Sequence, residues 1–226
     1  MNERFIRNYP AVSQEDFKNL QEAKICVVGC GGLGGYLIEM LARIGIGHLT
    51  LIDGDVFEKN NLNRQLLSLE SNLSRSKAVV ASERVHLINS DIKVHYLHKI
   101  LTKDNSIELL QQHHLVIDAV DRISTKLLIQ DTCEKIDIPL IHGAINGWCA
   151  QVSTIYPGDR TLNILYEKAD DTNVQSMGNP AFSPAFAASV QVSEAIKVIT
   201  GKGQYLRHQI MHMDLLSNRC TIIDLR

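Results

Sequence analysis

Gly29-Cys30-Gly31-Gly32-Leu33-Gly34 forms a glycine turn directly after an apolar run. Acids, amides and bases follow it at short intervals: Asp53 and Asp55, then Asn60-Asn61-Leu62-Asn63-Arg64-Gln65, then Lys77, then Asp118 and Asp121. Glycines in this spacing let a strand turn into a helix, let a ligand approach the backbone and let the helix pack on the sheet. The free N–H groups at such a helix start suit phosphate. Alone, the turn indicates a nucleotide and no more, because dehydrogenases, methyltransferases and some non-binding turns share it. Asp53 stands 19 residues after Gly34, where a carboxylate can accept both ribose hydroxyls. NAD and ATP sites share that contact, and a helix cap or loop ion pair would also use an acid there.

Arg64 and Lys77 separate these chemistries. A passive dinucleotide site does not need long cations around its diphosphate. Cleavage of ATP at its α-phosphate does, because negative charge builds on the bridging oxygen and the leaving pyrophosphate. Arginine grips two phosphate oxygens and lysine acts as a point charge. Either residue alone would read as a solvated surface charge. Together, with Asn61 and Gln65 flanking Arg64 just after the ribose acid, they read as a phosphate clamp. Asp118 and Asp121 fall at the C-terminal end of a strand, the edge where open parallel sheets bind ligands. A carboxylate there can hold Mg²⁺ together with phosphate oxygens. Asp121 is the favoured ligand, with Asp118 behind it or structural; an acid at 121 would equally cap a helix starting near Ile123.

The elements that must position these residues alternate. Strands are expected at 25–28, 49–52, 94–97, 115–117 and 139–141, where short apolar runs stop at glycine or acid. Helices are expected at 13–23, 33–44, from a Ser74 cap to 89, at 107–112, and from a Ser124 cap to 136. Residues 60–69 read as a short helix or turn. This βα alternation predicts a Rossmann-like, doubly wound α/β fold with a mainly parallel sheet. After Gly147 the pattern changes. A strand at 150–156, a polar crossover loop at 158–181, a helix at 186–200 and an antiparallel hairpin of 210–215 with 220–225 complete the chain. Residues 1–22 read as an N-terminal arm with a short helix, and no linker or repeat divides the 226 residues into more than one domain.

Composition excludes other classes. Apolar residues make up 45%, which suits a packed core rather than disorder, and the net charge of −2 leaves no footprint for nucleic acid. No apolar run reaches membrane-spanning length and the N-terminus lacks a signal-peptide core, so a cytoplasmic protein is expected. The five cysteines, Cys26, Cys30, Cys133, Cys149 and Cys220, include no C-x-x-C pair and read as buried thiols. His142 reads as a residue at a strand end near the cleft.

The chain resembles the ThiF/MoeB/HesA family, bacterial relatives of ubiquitin-activating enzymes. The matching stretches are VVGCGGLGG, IDGDVFEKNNLNRQ, SKAVVASERV, VIDAVDRIST, IPLIHGAINGW and QVSEAIKVITG, within a likeness running from about Arg4 to residue 225. The resemblance implies an enzyme that binds Mg-ATP and adenylates the C-terminal carboxylate of a small ubiquitin-fold sulfur carrier, usually ending Gly-Gly, for thiamine or molybdopterin-type cofactor synthesis. By position it implies that Gly31 and Gly32 line the nucleotide turn and that Asp53, with Asp55 beside it, serves the ribose side. Asn61, Arg64, Gln65 and Lys77 would meet the phosphates, and Asp121 would bind Mg²⁺. Arg7 matches an arginine that relatives insert into the other subunit's active site, so a homodimer is expected; a disordered charged tail would also contain such an arginine.

Two departures shape the expectation. Cysteine pairs that hold structural zinc in many relatives have no counterpart near Thr161–Leu165, and only Cys220 stands near the second position, so no zinc is expected. No cysteine lies between Cys149 and Cys220, where some relatives form a thioester or acyl-disulfide; the nearest position is about Val174. That predicts adenylation alone, with sulfur from a separate protein. Arg122 replaces an asparagine frequent after the metal aspartate. Three other readings stay open: an NAD-linked oxidoreductase, a tRNA-modifying ATP-dependent dehydratase and a non-catalytic scaffold. The first leaves Arg64, Lys77 and Asp121 unexplained; the second sits poorly with the lack of positive charge; the third should have lost the catalytic residues.

Overall fold

The computed structural model describes residues 3–172 and 176–225. One eight-stranded sheet runs through it in the order β3-β2-β1-β4-β5-β6-β7-β8. The strands are β1 Lys24–Val28, β2 His48–Ile52, β3 Lys93–Leu97, β4 Leu115–Asp118, β5 Leu140–Asn146, β6 Cys149–Ile155, β7 Gln209–Asp214 and β8 Arg219–Asp224. β3, β2, β1, β4 and β5 are parallel; β6, β7 and β8 join antiparallel. The order reverses between β1 and β4, so the C-terminal ends of those strands flank the crevice where this topology binds ligands.

The helices are α1 Gln14–Glu22, α2 Gly32–Ile44, α3 Lys77–Ile88, α4 Ser106–Leu110, α5 Ile123–Lys135, α6 Thr161–Leu165 and α7 Phe182–Thr200. α2, α3 and α7 cover one face of the sheet and bury Leu37, Ile38, Leu41, Val85 and Val192 against Val27, Leu51 and Ile117. Each such side chain contributes roughly 2 kcal/mol by leaving water. α4, α5 and α6 cover part of the other face with Leu110, Ile129, Cys133 and Leu162. The parallel strands β1 and β4 are buried almost throughout, which is why they read as continuous apolar runs.

Several boundaries differ from the sequence expectation. Ser74 does not cap α3: it adopts a left-handed φ of 66° in the preceding turn, and Ser76 holds the N-cap position. Ser124 lies inside the first turn of α5 rather than before it. β5 extends to Asn146 because its second half pairs with β6 instead of with β4. The 158–181 segment is not all loop, since α6 forms within it, and α7 begins at Phe182 with Pro184 in its first turn, where no N–H is needed. Cys26, Cys30 and Cys133 are buried as expected, but Cys149 is half-buried and Cys220 is exposed on the edge strand β8.

Candidate functional site: a crevice at the glycine turn

The glycine turn links β1 to α2. Gly29 has φ 99°, and a side chain on Gly34 would place its Cβ 1.9 Å from the Gly29 carbonyl oxygen. Gly34 thus brings the helix down onto the strand end. Gly31 serves a different need: a Cβ there would meet only the Gln65 amide, at 3.4 Å, and otherwise faces the crevice. No side chain caps α2 and no acid occupies its first turn, so its first N–H groups stay available to an anion.

Around this helix start lies a cavity of about 410 Å³. Gly31, Gly32, Asp53, Asp55, Arg64, Gln65, Lys77 and Asp121 all line it, drawn from the ends of β1, β2 and β4, the turn after Asn61 and the start of α3. Asp53 accepts from the Cys30 amide at 2.7 Å through one oxygen and from the Asp55 amide at 2.8 Å through the other. It therefore braces the glycine turn while keeping lone pairs for a ligand. Burial raises its pKa, partly offset by those two amides. Lys77 is buried with its amino group 3.2 Å from Asp55. The Arg64 guanidinium donates to Asn60 O and Asn63 Oδ1, both at 2.9 Å. Gln65 Oε1 is buried without a hydrogen-bond partner among the described residues. The Asp121 carboxylate is exposed to the crevice and makes no hydrogen bond or ion pair among the described residues. A free carboxylate in the same cavity as the open start of α2 fits a hard divalent cation, which takes one or two carboxylates plus phosphate oxygens.

Two expected residues lie elsewhere. Asn61 is buried outside the cavity wall. Its Oδ1 accepts from the Glu58 amide at 3.0 Å, and its carbonyl accepts from the Arg64 and Gln65 amides, so it shapes the turn that presents those side chains. Arg7 is exposed in a 3-10 turn, Glu3–Asn8, and is not part of its own chain's cavity; Phe5 anchors that turn against Phe17, ring centres 4.5 Å apart. Val174 lies outside the described residues.

Asp118 does not face the crevice. It is fully buried, paired with Lys126 Nζ at 3.0 Å and accepting from His142 Nδ1 at 2.7 Å. Burial opposes its charge, but Lys126 and His142 together hold its carboxyl below the usual range. His142 is also fully buried, so it does not face the cleft; burial lowers its pKa despite Asp118, and it is neutral at pH 7. Lys126 further donates to Gly143 O at 2.8 Å and lines the crevice, joining β4, β5 and α5. The sequence carries a signal for it: Ile123, Lys126, Ile129 and Cys133 share the buried stripe of α5. Ala144 and Ile145 of β5, Lys99–Leu101 and Asn179 complete the wall; nothing in their residue types marks them.

The ThiF family profile matches residues 4–226. A maize protein named adenylyltransferase and sulfurtransferase MOCS3-1 is 33% identical over 227 residues, covering 96% of this chain and 47% of that one. The SAMP-activating enzyme E1 of Haloferax volcanii is 30% identical over 91% of this chain and 77% of its own. The sulfur carrier protein ThiS adenylyltransferase of Bacillus subtilis is 34% identical over 82% and 56%. The chain spans about half the length of the plant relatives. The crystal structure of E. coli MccB with ATP superposes with a TM-score of 0.84 at 20% identity, over 100% of this chain and 71% of that one, a likeness of fold. The chain belongs to the ThiF family.

Proposed function

We propose that the crevice binds Mg-ATP and adenylates the C-terminal carboxylate of a small ubiquitin-fold sulfur carrier ending in Gly-Gly. The observation that carries this reading is the convergence of Arg64, Lys77 and the unpaired Asp121 on the open start of α2. In the reaction the carboxylate oxygen forms a bond to the α-phosphorus and the bond to the bridging oxygen breaks, releasing pyrophosphate. The carboxylate is ionised at neutral pH and needs no base. Asp53 holds the ribose, the Gly31 and Gly32 backbone cradles phosphate, and the Gln65 side-chain NH2 donates to the same phosphates. Arg64 and Lys77 neutralise the charge that develops on the leaving group. Mg²⁺, held by Asp121 and the nucleotide, would supply further charge neutralisation. The strand end at Ala144 and Ile145 offers the carrier tail its path.

The proposal extends to a cytoplasmic enzyme that acts as a homodimer, with Arg7 reaching the partner's crevice. No described helix is long and apolar enough to cross a membrane. Its exposure and its place outside its own cavity support that role for Arg7. Neither Cys149 nor Cys220 lines the crevice, which supports sulfur coming from a separate donor protein, and no zinc is required in this scheme. The test is ATP–pyrophosphate exchange with Mg²⁺ against a panel of small carriers ending in Gly-Gly. Exchange that needs one carrier and its free carboxylate, and that disappears in Arg64→Ala, Lys77→Ala and Asp121→Ala, supports the proposal. Full activity in all three variants would overturn the assignment. ATP binding without exchange on any carrier would move the acceptor to another carboxylate, that of a peptide or of tRNA.

A further inference from the structure

A second cavity, of about 460 Å³, lies on the sheet face that α4 leaves open. α4 has only five residues, so the outer half of that face, on β2 and β3, carries polar side chains instead of a helix. Strand register fixes their arrangement: Lys24, His48 and Lys93 stand side by side on β1, β2 and β3, and His95 lies beside Thr50 in the row of the next inward-facing pair. These are the first residues of their strands, so the row lies at the opposite end of the sheet from the glycine turn. Adjacent strands are only about 4.8 Å apart. Lys24 and Lys93 thus flank His48, each one strand away from it.

Lys24, Lys93 and Lys99, which also line this cavity, form no ion pair among the described residues, and Glu108 is the one carboxylate among its lining residues. Burial, with Lys93 and Lys24 adding to it, holds His48 below the ordinary imidazole range. His113 is fixed at the wall, its Nε2 2.8 Å from Thr50 Oγ1. A chain with net charge −2 thus concentrates three lysines and three histidines around one recess.

We infer that this recess is a second anion site that takes a small, multiply charged phosphoryl compound, bound across the Lys24–His48–Lys93 row. Its volume is within the range of small-molecule sites, and lysines suit phosphate as point charges. Lys99 lines both this recess and the nucleotide crevice, so the two sites adjoin at one side chain.

The experiment titrates the whole chain with pyrophosphate by calorimetry while a non-hydrolysable ATP analogue fills the crevice. A parallel arm uses Lys77→Ala, which weakens the crevice by another route and does not depend on the nucleotide reading. Saturable binding that survives in both arms, falls at least about tenfold in Lys93→Gln or Lys24→Gln and is unchanged in the charge-matched control Lys135→Gln supports the site. Inorganic phosphate and a sugar phosphate, run at equal ionic strength, then distinguish a free diphosphate from a phosphate ester as the occupant. Loss of binding when the crevice is full, equal weakening in Lys135→Gln, equal displacement by chloride, or saturation by tRNA alone would each overturn the inference.

Discussion

Asp171 caps α5 through Ser124: its Oδ2 accepts from Ser124 Oγ at 2.5 Å, while its Oδ1 accepts from the Ile123 amide at 2.6 Å. The cap therefore comes from the crossover segment, 47 residues away in sequence, and not from the residue before the helix. Ser124 and the Ile123 amide hold the Asp171 carboxyl below its usual pKa. Because Asp121 and Arg122 immediately precede this turn, the segment fixes one wall of the crevice.

Asp171→Ala removes the acceptor of the Ile123 and Ser124 amides and of the Ser124 hydroxyl. Loss of an N-cap costs about 1 kcal/mol, so the variant should melt a few degrees lower. Its Mg²⁺-dependent affinity for ATP should fall as well, because the Asp121 turn loosens. Calorimetric melting and ATP titration check both; an unchanged melting temperature would mean that the crossover segment does not hold α5.

The glycines make opposite predictions. Gly34→Ala drives a Cβ into the Gly29 carbonyl, so α2 must lift off β1 and the fold should lose several kcal/mol. Gly31→Ala meets only the side-chain amide of Gln65, which can yield by a few tenths of an ångström. That variant should keep its unfolding midpoint within error and lose ATP affinity, because the methyl group projects toward the phosphate space. Urea unfolding and nucleotide titration on the pair separate the two roles; equal destabilisation of both would refute the division.

Much of this site was legible in the residues because local rules govern it. The glycine turn, the strand-end acids and the α2 start depend on spacing along one strand–helix unit, and apolar runs marked the buried parallel strands. Arg64, Lys77 and Asp121 reached one cavity because strand ends of a doubly wound sheet converge at its switch point. Long-range contacts were not legible. Nothing local distinguishes Asp171 from its polar neighbours, and the length of β5 depends on pairing with β6. Asn61 resembled a ligand-contacting amide because turn-capping and phosphate-binding asparagines are the same residue type. His142 resembled a cleft residue because sequence gives a strand's end but not which side chain faces inward.

Buried histidines set the response to acid. Burial lowers the folded-state pKa of His142 and His113, and burial with nearby lysines lowers that of His48. An unfolded histidine takes a proton near pH 6.5 while these folded ones do not, so the unfolded state gains protons first as pH falls. Stability is full above about pH 7 and should decline from there toward the lowered folded values. Asp118, held below its usual pKa, adds a further loss only below about pH 4, where its unfolded form protonates. The urea midpoint should thus drop between about pH 7.5 and 5.5. His142→Gln should flatten part of that slope even if it lowers the midpoint at pH 7.5; an unaltered slope would exclude His142 as a source.

Lys126 gives the last prediction. Its amino group meets both Asp118 oxygens and the Gly143 carbonyl within a fully buried cluster. Lys126→Met keeps the length of the side chain but leaves Asp118 as an unpaired buried charge, a change that typically costs about 3–5 kcal/mol. Asp118→Asn on that background removes the stranded charge and keeps an acceptor for His142. The double variant should therefore be more stable than Lys126→Met alone, because most of the cost comes from isolating a charge rather than from losing a favourable pair. Urea unfolding of the four-member cycle measures the coupling directly. If the double variant proved less stable than the single one, the cluster would owe its stability to the pair itself, and Lys126 would have to be read as more than the counter-ion that lets Asp118 stay buried behind the crevice.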